Sequence, residues 1–577
     1  MSHAAISFVV LGAAVALFIW NRLPVEVVAV GSALVLYFCG VLSAAQTLAG
    51  FGDQVVVFIT ALFIVSQALD SSGVTAWAGQ QLITRASTPQ RRLLLMMLLV
   101  AGLTALISVN GAVAALLPMV VLMAVRSGQS PSRLVMPLAF AAHAGSLLLF
   151  TGTPINVIVS EAAQDASGHG FGFFEFSLVG VPLLAGTIAI IMAFGNRLLP
   201  DRVPHSIPPD LSGHARTLIK QYRLDEHAYR LQGRRPASYP AGVAVVGAQG
   251  PDTIIVRGES AAVQRFAADN QLQFLAEPAA THLEGALITP DYGVAEVVVG
   301  PRSGLVGTTV FPGMTTDSGD LIILAVQRKG LDAGRQETVL AIGDTLLLQG
   351  TWRALDRNID ADPGVLAVDD PEAVRRQAAP LGALGIRAIA VLAGMVLLLA
   401  VDLVPPAIAG LIAAGAMILL RVIPPTQAYR GIPWSTVILV AGMIPVSTAI
   451  AESGAADTMA QALVSLVGDR GPYLLLAGIF VFTATLGQII SNTATALIIV
   501  PIAIAAATEL EVSIRPVLMC VAVAATAALL TPVATPANMM IKGPGGYRFG
   551  DYWKLGLPIL LLFGVVSVGV VPLFWPL

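Results

Sequence analysis

The chain has 577 residues, of which 56% are hydrophobic and only 12% charged, and its mean hydropathy is +0.80. Because about a quarter of the residues in soluble globular proteins are charged, this composition excludes an ordinary soluble protein and indicates an integral membrane protein. A formal net charge of -3 gives no indication of nucleic-acid binding, and two cysteines in apolar runs, Cys39 and Cys520, predict neither a disulfide framework nor a cysteine metal site.

The chain opens on an apolar stretch, residues 6–20, without the positively charged start of a secretory signal. A second apolar segment follows at once, so we expect the first to be a membrane helix. Eight apolar segments are predicted in this half: residues 4–20, 24–41, 55–69, 93–108, 112–125, 134–150, 154–163 and 178–199. Several are shorter than the roughly 20 residues that cross a bilayer.

The middle of the chain differs in composition. Residues 201–380 hold 17 of the 32 Lys and Arg residues and 22 of the 35 Asp and Glu residues, which predicts a water-soluble insert. Strand patterns cover residues 295–300, 321–330 and 342–350, with a turn into a short helix expected at 301–307. An earlier strand at 252–258 precedes a helix at 261–270.

This order resembles the C-terminal lobe of the RCK domain, called TrkA-C, with a degenerate earlier copy at about 211–275. The resemblance implies cytoplasmic lobes that pair across a dimer and bind a nucleotide or another small effector. The alternative is that they serve only dimerisation or stability. A basic run also favours the cytoplasmic side under the positive-inside rule: Arg216, Lys220, Arg223, Arg230, Arg234 and Arg235.

Apolar segments resume after the insert at residues 384–401, 408–422, 437–450, 473–490, 495–507, 516–530, 536–541 and 557–577. They repeat the first half. Ser72-Gly73 matches Ser453-Gly454 at an offset of 381, and residues 109–113 match 491–495 at an offset of 382. Residues 152–156 match 534–538 at the same offset, so Asn110 and Asn156 are spaced like Asn492 and Asn538.

Each half thus carries an Asn and, 46 residues later, a Thr-Pro-x-Asn element. Proline removes a backbone donor and disfavours helical angles in the preceding residue, so a helix should break and restart there. A break at membrane depth is tolerated where it lines a cavity, and it offers carbonyls to a cation and helix N-termini to an anion. The alternative is an Asn that bonds between helices and a proline that only kinks one.

These motifs resemble the divalent anion/sodium symporter family of the ion transporter superfamily. Ser491-Asn492-Thr493 matches the family's hairpin-tip motif, and the Thr-Pro-x-Asn elements match its helix breaks. The resemblance implies an α-helical polytopic membrane protein with two inverted repeats, re-entrant hairpins and broken helices, plus inserted α/β soluble lobes. The expected domains are membrane repeat 1 (1–199), a linker with the first lobe (200–283), the second lobe with its linker (284–380) and membrane repeat 2 (381–577).

By resemblance, one sodium ion binds at Asn110 and the backbone near Gly152, and another at Asn492 and the backbone near Ala534. No transition metal is expected. The first site departs from the family, because Val109 and Gly111 stand where hydroxyl residues are usual. The residues expected at the substrate are Asn110, Thr153, Asn156, Ser491, Asn492, Thr493, Thr535 and Asn538.

The function implied is sodium-coupled symport of a small anion, sulfate or a di- or tricarboxylate, by an elevator mechanism in a homodimer of the bacterial inner membrane. No Arg or Lys occupies the middle of an apolar segment, so cations would neutralise the anion. Alternatives are a proton-coupled or uncoupled carrier for another solute such as arsenite, and an RCK-gated channel. A potassium channel would need a selectivity-filter sequence of the Thr-Val-Gly-Tyr-Gly type, and this sequence contains none. An enzyme is not expected. His143 is either a structural hydrogen-bonding residue or a proton-coupling one.

Overall fold

The computed structural model describes residues 2–20, 22–75, 77–78, 88–126, 128–202, 214–233, 240, 243–248, 252–275, 280–289, 292–316, 319–333, 337–361, 364–368, 374, 382–467 and 471–577. These form two compact units, Met1–Pro208 with Leu384–Leu577, and Pro209–Ala383.

The first membrane half is a series of helices that follow the predicted apolar segments. They are α1 (His3–Trp20), α2 (Val25–Phe38), α3 (Ala44–Ala49), α4 (Gln54–Ser71), α5 (Pro89–Leu106), α6 (Val109–Arg126), α7 (Ser132–Gly145), α8 (Pro154–Ser167) and α9 (Ser177–Leu198). The short helix α3 was not predicted. It begins with a capping box in which Ser43 and Gln46 satisfy each other's backbone donors.

The insert contains two antiparallel sheets and four helices among its described residues. The helices are α10 (His214–Gln221), α11 (Ser260–Asp269), α12 (Ala280–Leu287) and α13 (Trp352–Ala361). The first sheet has the order β2-β3-β1-β4, from β1 (Ala228–Gln232), β2 (Val243–Ala248), β3 (Thr253–Gly258) and β4 (Gln273–Phe274). The second has the order β11-β5-β10-β7-β8, from β5 (Tyr292–Val299), β7 (Leu321–Arg328), β8 (Leu331–Asp332), β10 (Thr345–Thr351) and β11 (Val365–Ala367), beside a ribbon of β6 (Thr309–Val310) and β9 (Thr338–Val339).

These elements test the strand and helix predictions for the insert. The three predicted strands of the second lobe are β5, β7 and β10, and the strand and helix of the first lobe are β3 and α11. The prediction that a turn leads into a short helix at 301–307 is wrong, because these residues form successive turns. Arg234 and Arg235 lie outside the described residues.

The two lobes share a core. Val246 and Ile255 of the first sheet belong to the same buried cluster as Val297 and Leu347 of the second. The buried Glu296 carboxylate accepts hydrogen bonds from Tyr222 Oη at 2.8 Å and Gln221 Nε2 at 3.1 Å. Burial raises the pKa of the Tyr222 phenol, so the phenol remains a donor to this carboxylate.

The second membrane half repeats the first. Its helices are α14 (Ala383–Ala400), α15 (Pro406–Leu419), α16 (Pro425–Arg430), α17 (Trp434–Glu452), α18 (Ala455–Val467), α19 (Pro472–Gly487), α20 (Asn492–Glu509), α21 (Ile514–Thr526), α22 (Pro536–Lys542), α23 (Tyr552–Val565) and, after one π-turn, α24 (Val571–Phe574). Among the described residues, eight helical stretches are long and apolar enough to cross a membrane.

Equivalent helices of the two halves exchange partners. Helix α2 of the first half packs on α17 of the second, and the equivalent helix α15 of the second half packs on α4 of the first. In the same way, α8 of the first half packs on α21 of the second, and α22 of the second packs on α7 of the first. Such exchange of partners is what a two-fold axis between the repeats produces. The predicted class, a polytopic helical membrane protein with small inserted sheets, is confirmed, and the inverted orientation of the second repeat stays a prediction.

Candidate functional site

The first helix break lies between α7 and α8. Residues 146–153 leave the helix, and Thr153 caps α8 at the predicted Thr-Pro step. Asn156 is fully buried, and its Nδ2 donates to the carbonyl oxygens of Ser146 at 3.0 Å and Leu149 at 2.9 Å. The amide therefore satisfies two acceptors that the break has removed from the helix.

The second break, between α21 and α22, has the same geometry. Thr535 Oγ accepts from the Asn538 backbone N–H at 3.2 Å, and Asn538 Nδ2 donates to the carbonyl oxygens of Ala528 at 2.8 Å and Thr531 at 3.1 Å. Each of these residues lies 382 positions after its first-half counterpart. The two breaks therefore have equivalent structures. In each of them the side-chain Nδ2 of the asparagine, Asn156 or Asn538, stabilises the break by donating to two backbone carbonyls.

A close backbone approach also recurs at the two breaks. A Cβ at Gly180 of α9 would overlap the carbonyl of Leu147, and a Cβ at Gly556 of α23 would overlap the carbonyl of Leu529. Glycine thus lets the next helix of each repeat lie directly on the break. The sequence comparison missed this pair, because Gly180 and Gly556 are not at the offset of the motifs.

The predicted hairpin tips are the turn between α5 and α6 and the turn between α19 and α20. They match in a register that differs from the predicted one. Ser108 Oγ accepts from the Gly111 backbone N–H at 3.1 Å, and Ser491 Oγ accepts from the Ala494 N–H at 3.3 Å. The serines are 383 positions apart, as are Pro118 and Pro501 inside the helices that they begin, and both helices have 18 residues.

This register changes how the two asparagines correspond. Asn492 is equivalent to Val109, and Asn110 is equivalent to Thr493. The loop after α6 is one residue longer than the loop after α20, which restores the offset of 382 at the breaks. The missed residue is Ser108, whose hydroxyl caps the first hairpin helix and partly offsets the absence of hydroxyls at Val109 and Gly111.

The asparagines also differ in exposure. Asn110 is exposed, whereas Ser491, Asn492 and Thr493 are half-buried. Asn492 Oδ1 is buried and has no hydrogen-bond partner among the described residues. An amide oxygen without a donor is free to accept a hydrogen bond or to act as one oxygen ligand of a cation.

Each tip is tied to the break of its own repeat. In the second repeat, Gln488 Nε2 donates to the Ala527 carbonyl at 2.9 Å, its Oε1 accepts from the Leu530 N–H at 2.8 Å, and Thr531 Oγ donates to the Gln488 carbonyl at 3.0 Å. In the first, Thr151 Oγ donates to the Ala105 carbonyl at 2.9 Å. These bonds tie the residues just before each tip to the break of the same repeat, and Gly152 and Ala534 of the two breaks are buried.

His143 joins the two repeats. It lies on α7, is 1% exposed, and its Nε2 is 3.3 Å from both Asn538 Oδ1 and Thr535 Oγ of the second break. Among the described residues there is no group of three His, Cys, Asp or Glu side chains that would hold a transition metal. The polar groups assembled here are the His143 imidazole, neutral oxygens and helix N-termini.

Comparisons with known proteins identify the family of this chain. The family model described as "CitMHS: Citrate transporter" matches residues 15–509 and 465–576. The "Uncharacterized transporter YfbS" of Escherichia coli strain K12 is 33% identical over 98% of both chains.

Two shorter matches carry substrate names. "Probable sodium/sulfate cotransporter 3" of Chlamydomonas reinhardtii is 27% identical over 48% of this chain and 31% of its own length. The "Sodium-dependent dicarboxylate transporter SdcS" of Staphylococcus saprophyticus is 34% identical over 25% of this chain and 28% of its own. All of these proteins are described as transporters and none as an enzyme. The chain belongs to the CitMHS citrate transporter family.

Proposed function

We propose that this transporter couples sodium ions to the uptake of a small anion, sulfate or a di- or tricarboxylate. The observation that carries the proposal is the second hairpin tip. There Asn492, whose buried Oδ1 has no hydrogen-bond partner in the part of the chain that the structure describes, stands in sequence between the hydroxyl residues Ser491 and Thr493 at the N-terminus of an 18-residue helix.

The chemistry of the tip suits both ligands. Hydroxyl, amide and backbone carbonyl oxygens are ligands for a hard cation. The N-terminus of α20 provides unpaired N–H groups and the positive end of a helix dipole, which favour an anion. Since no Lys or Arg occupies the middle of an apolar segment, the bound cations would supply the countercharge.

The partial relatives support the substrate class. One is named for sodium and sulfate, the other for sodium and dicarboxylates. The family description names citrate. All of these anions carry two or more oxygens that the tips and breaks would contact, with Asn110, Thr153, Thr493 and Thr535 as the proposed lining beside Ser491 and Asn492. Asn156 and Asn538 are fully buried, and their proposed role is to hold the breaks that present this lining.

An elevator mechanism is favoured by two cavities within the membrane unit. One of about 590 Å³ lies among Glu161 on α8, Val500 on α20 and Thr448 on α17. The other, of about 530 Å³, lies between α8 and helices α4 and α15. Both are lined on one side by helices that carry a tip or follow a break and on the other side by remaining helices, as expected for a transport unit that slides against a scaffold.

Uptake in proteoliposomes tests the function. We expect radiolabelled sulfate, succinate or citrate to accumulate under an inward sodium gradient and not under a choline gradient of equal ionic strength. Uptake driven by a proton gradient alone, or uptake of arsenite without any gradient dependence, would replace sodium coupling by one of the other carrier mechanisms. The Asn492→Ala protein in matched vesicles is the control for leak.

The insert is proposed to regulate transport from the cytoplasmic side of the bacterial inner membrane, in a homodimer, through a nucleotide or another small effector. Deleting residues 204–380 and joining the halves by a flexible linker should preserve substrate binding and remove any effector response. A folded deletion protein that binds no substrate would show that the insert has another role.

A further inference from the structure

His143 belongs to the first repeat, but its side chain contacts residues of the second. It is on α7 of the first half, and both neighbours of its Nε2, Asn538 Oδ1 and Thr535 Oγ, belong to the second break. It is therefore a direct link between the first break's helix and the second break.

The position of the proton on His143 follows from its neighbours. Asn538 Nδ2 donates to the carbonyls of Ala528 and Thr531, which only accept. This fixes the orientation of the amide and turns its Oδ1, also an acceptor, toward His143. The imidazole must then carry hydrogen on Nε2 and donate it.

The first break has no such donor. The position equivalent to His143 is Ala525, at the offset of 382 that relates the breaks. Asn156 repeats the donor bonds of Asn538, yet its Oδ1 is buried without a hydrogen-bond partner among the described residues. The two breaks thus differ by one hydrogen-bond donor.

We propose that His143 is a positioning residue for the cation site of the second repeat, a role that rests on the proposed function. Its N–H holds Asn538 and Thr535, and through them the peptide that follows Ala534. The backbone near Ala534 is expected to bind the cation. The histidine thereby makes the two cation sites inequivalent and couples the second break to the helix that leads into the first.

Sodium titrations of uptake test the role. His143→Leu removes the donor, whereas His143→Gln keeps an N–H in the same direction. Since one hydrogen bond is lost at a buried site, we expect the half-saturating sodium concentration to rise roughly five- to tenfold in the Leu variant and to stay within about twofold of wild type in the Gln variant. Thr187→Val, at a fully buried hydroxyl without a partner among the described residues, is the matched control and should leave the titration unchanged.

A chemical readout separates this proposal from the proposed function. In a protein with Cys39 and Cys520 replaced by serine, Ala534→Cys places a buried thiol at the second break. Adding His143→Leu should increase its alkylation rate roughly tenfold, and adding His143→Gln should not. If wild-type uptake did not depend on sodium, the proposed function would be overturned. The alkylation rates of the Leu and Gln variants would still decide whether His143 holds the second break. Equal alkylation rates in the Leu and Gln backgrounds, or equal sodium titrations in sodium-driven proteins, would overturn the role of His143.

Discussion

Asn492 and Asn110 have different surroundings although both stand at hairpin tips. Asn492 is the first residue of its helix and has a buried Oδ1, whereas Asn110 is the second residue of its helix and is exposed. Side chains one position apart on a helix point about 100° apart, because the helix has about 3.6 residues per turn. The two tips therefore present different ligands, and the second carries the more complete set.

Replacing Asn492 by Ala should abolish sodium-driven uptake while the protein still folds. The side chain makes no hydrogen bond that its loss would leave unpaired among the described residues, so stability should change little. Uptake assays with thermal unfolding in detergent measure the two effects separately. Retained uptake with unchanged sodium dependence would remove Asn492 from the site, and Thr187→Val again provides a neutral comparison.

Gly152→Ala should impair transport through the backbone of the first break. A Cβ there would overlap the Ser146 carbonyl, which also accepts from Asn156, so the break must shift. Overpacking of this kind costs about 1–3 kcal/mol. We expect at least a tenfold loss of uptake rate, compared with Gly12→Ala in α1, where a Cβ meets no atom within 4 Å. Equal activity of the two variants would show that this break tolerates displacement.

At the scale of elements, the two hairpin helices begin and bend in the same way. Each has a serine cap and an internal proline ten residues after it. Proline leaves one carbonyl unpaired and bends the helix. The same local features in both repeats explain how different sequences form matching hairpins. They also show that the hairpins align through Ser108 and Ser491, and not through Asn110 and Asn492.

In the insert, Arg328 holds a buried carboxylate between β7 and the turn before β10. Its Nε and Nη2 donate to the two Asp344 carboxylate oxygens at 2.8 Å and 2.7 Å. The guanidinium lowers the pKa of the Asp344 carboxyl below its usual value. Because the folded-state pKa is the lower one, the pair stabilises the fold above about pH 3.9 and loses this effect as the pH falls below it.

Arg328→Met should therefore make the insert more susceptible to limited proteolysis at pH 7, and the difference from wild type should shrink as the pH falls below about 4. A double-mutant cycle with Asp344→Asn checks the cause, since the second substitution should add little once the first is present. Additive effects at pH 7 would show that the two residues act independently.

At the scale of the molecule, the reciprocal packing and the ties between tips and breaks predict a rigid transport unit. Residues 110–163 and 492–541 should move together, with Asn110, Asn156, Asn492 and Asn538 keeping their mutual distances. Helices α2 and α15 should stay with the scaffold. The hydrogen bond of His143 to Asn538 joins the two breaks into this unit.

Spin-label distances measure this motion. In the cysteine-free protein, labels at the exposed positions 125 and 508 should keep one distance with and without substrate and sodium. Pairs 125 with 38, and 508 with 419, should each shift by several ångströms, since Phe38 and Leu419 end the scaffold helices. A changing 125–508 distance beside fixed scaffold pairs would indicate gating around a static site.

Features that depend on local chemistry could be predicted from the sequence alone. Apolar segments set the membrane helices, Thr-Pro steps set the breaks, and strand patterns set β5, β7 and β10, because each reflects hydrophobicity or backbone restriction within a few residues. The turn at 301–307 was misread as leading into a helix, since its glycines and serine suit successive turns equally well.

The contacts between these parts follow from the packing of the folded chain and could not be predicted from the sequence. Gln488 bonds to residues 39 and 42 positions away, and His143 bonds to a residue 395 positions away. No local pattern encodes such partners, because they are set by the packing of one repeat on the other. The one-residue shift between the hairpins could not be predicted from the motifs either. The two asparagines align at the offset of 382 found at the breaks, whereas the serine caps and the helix prolines align at an offset of 383.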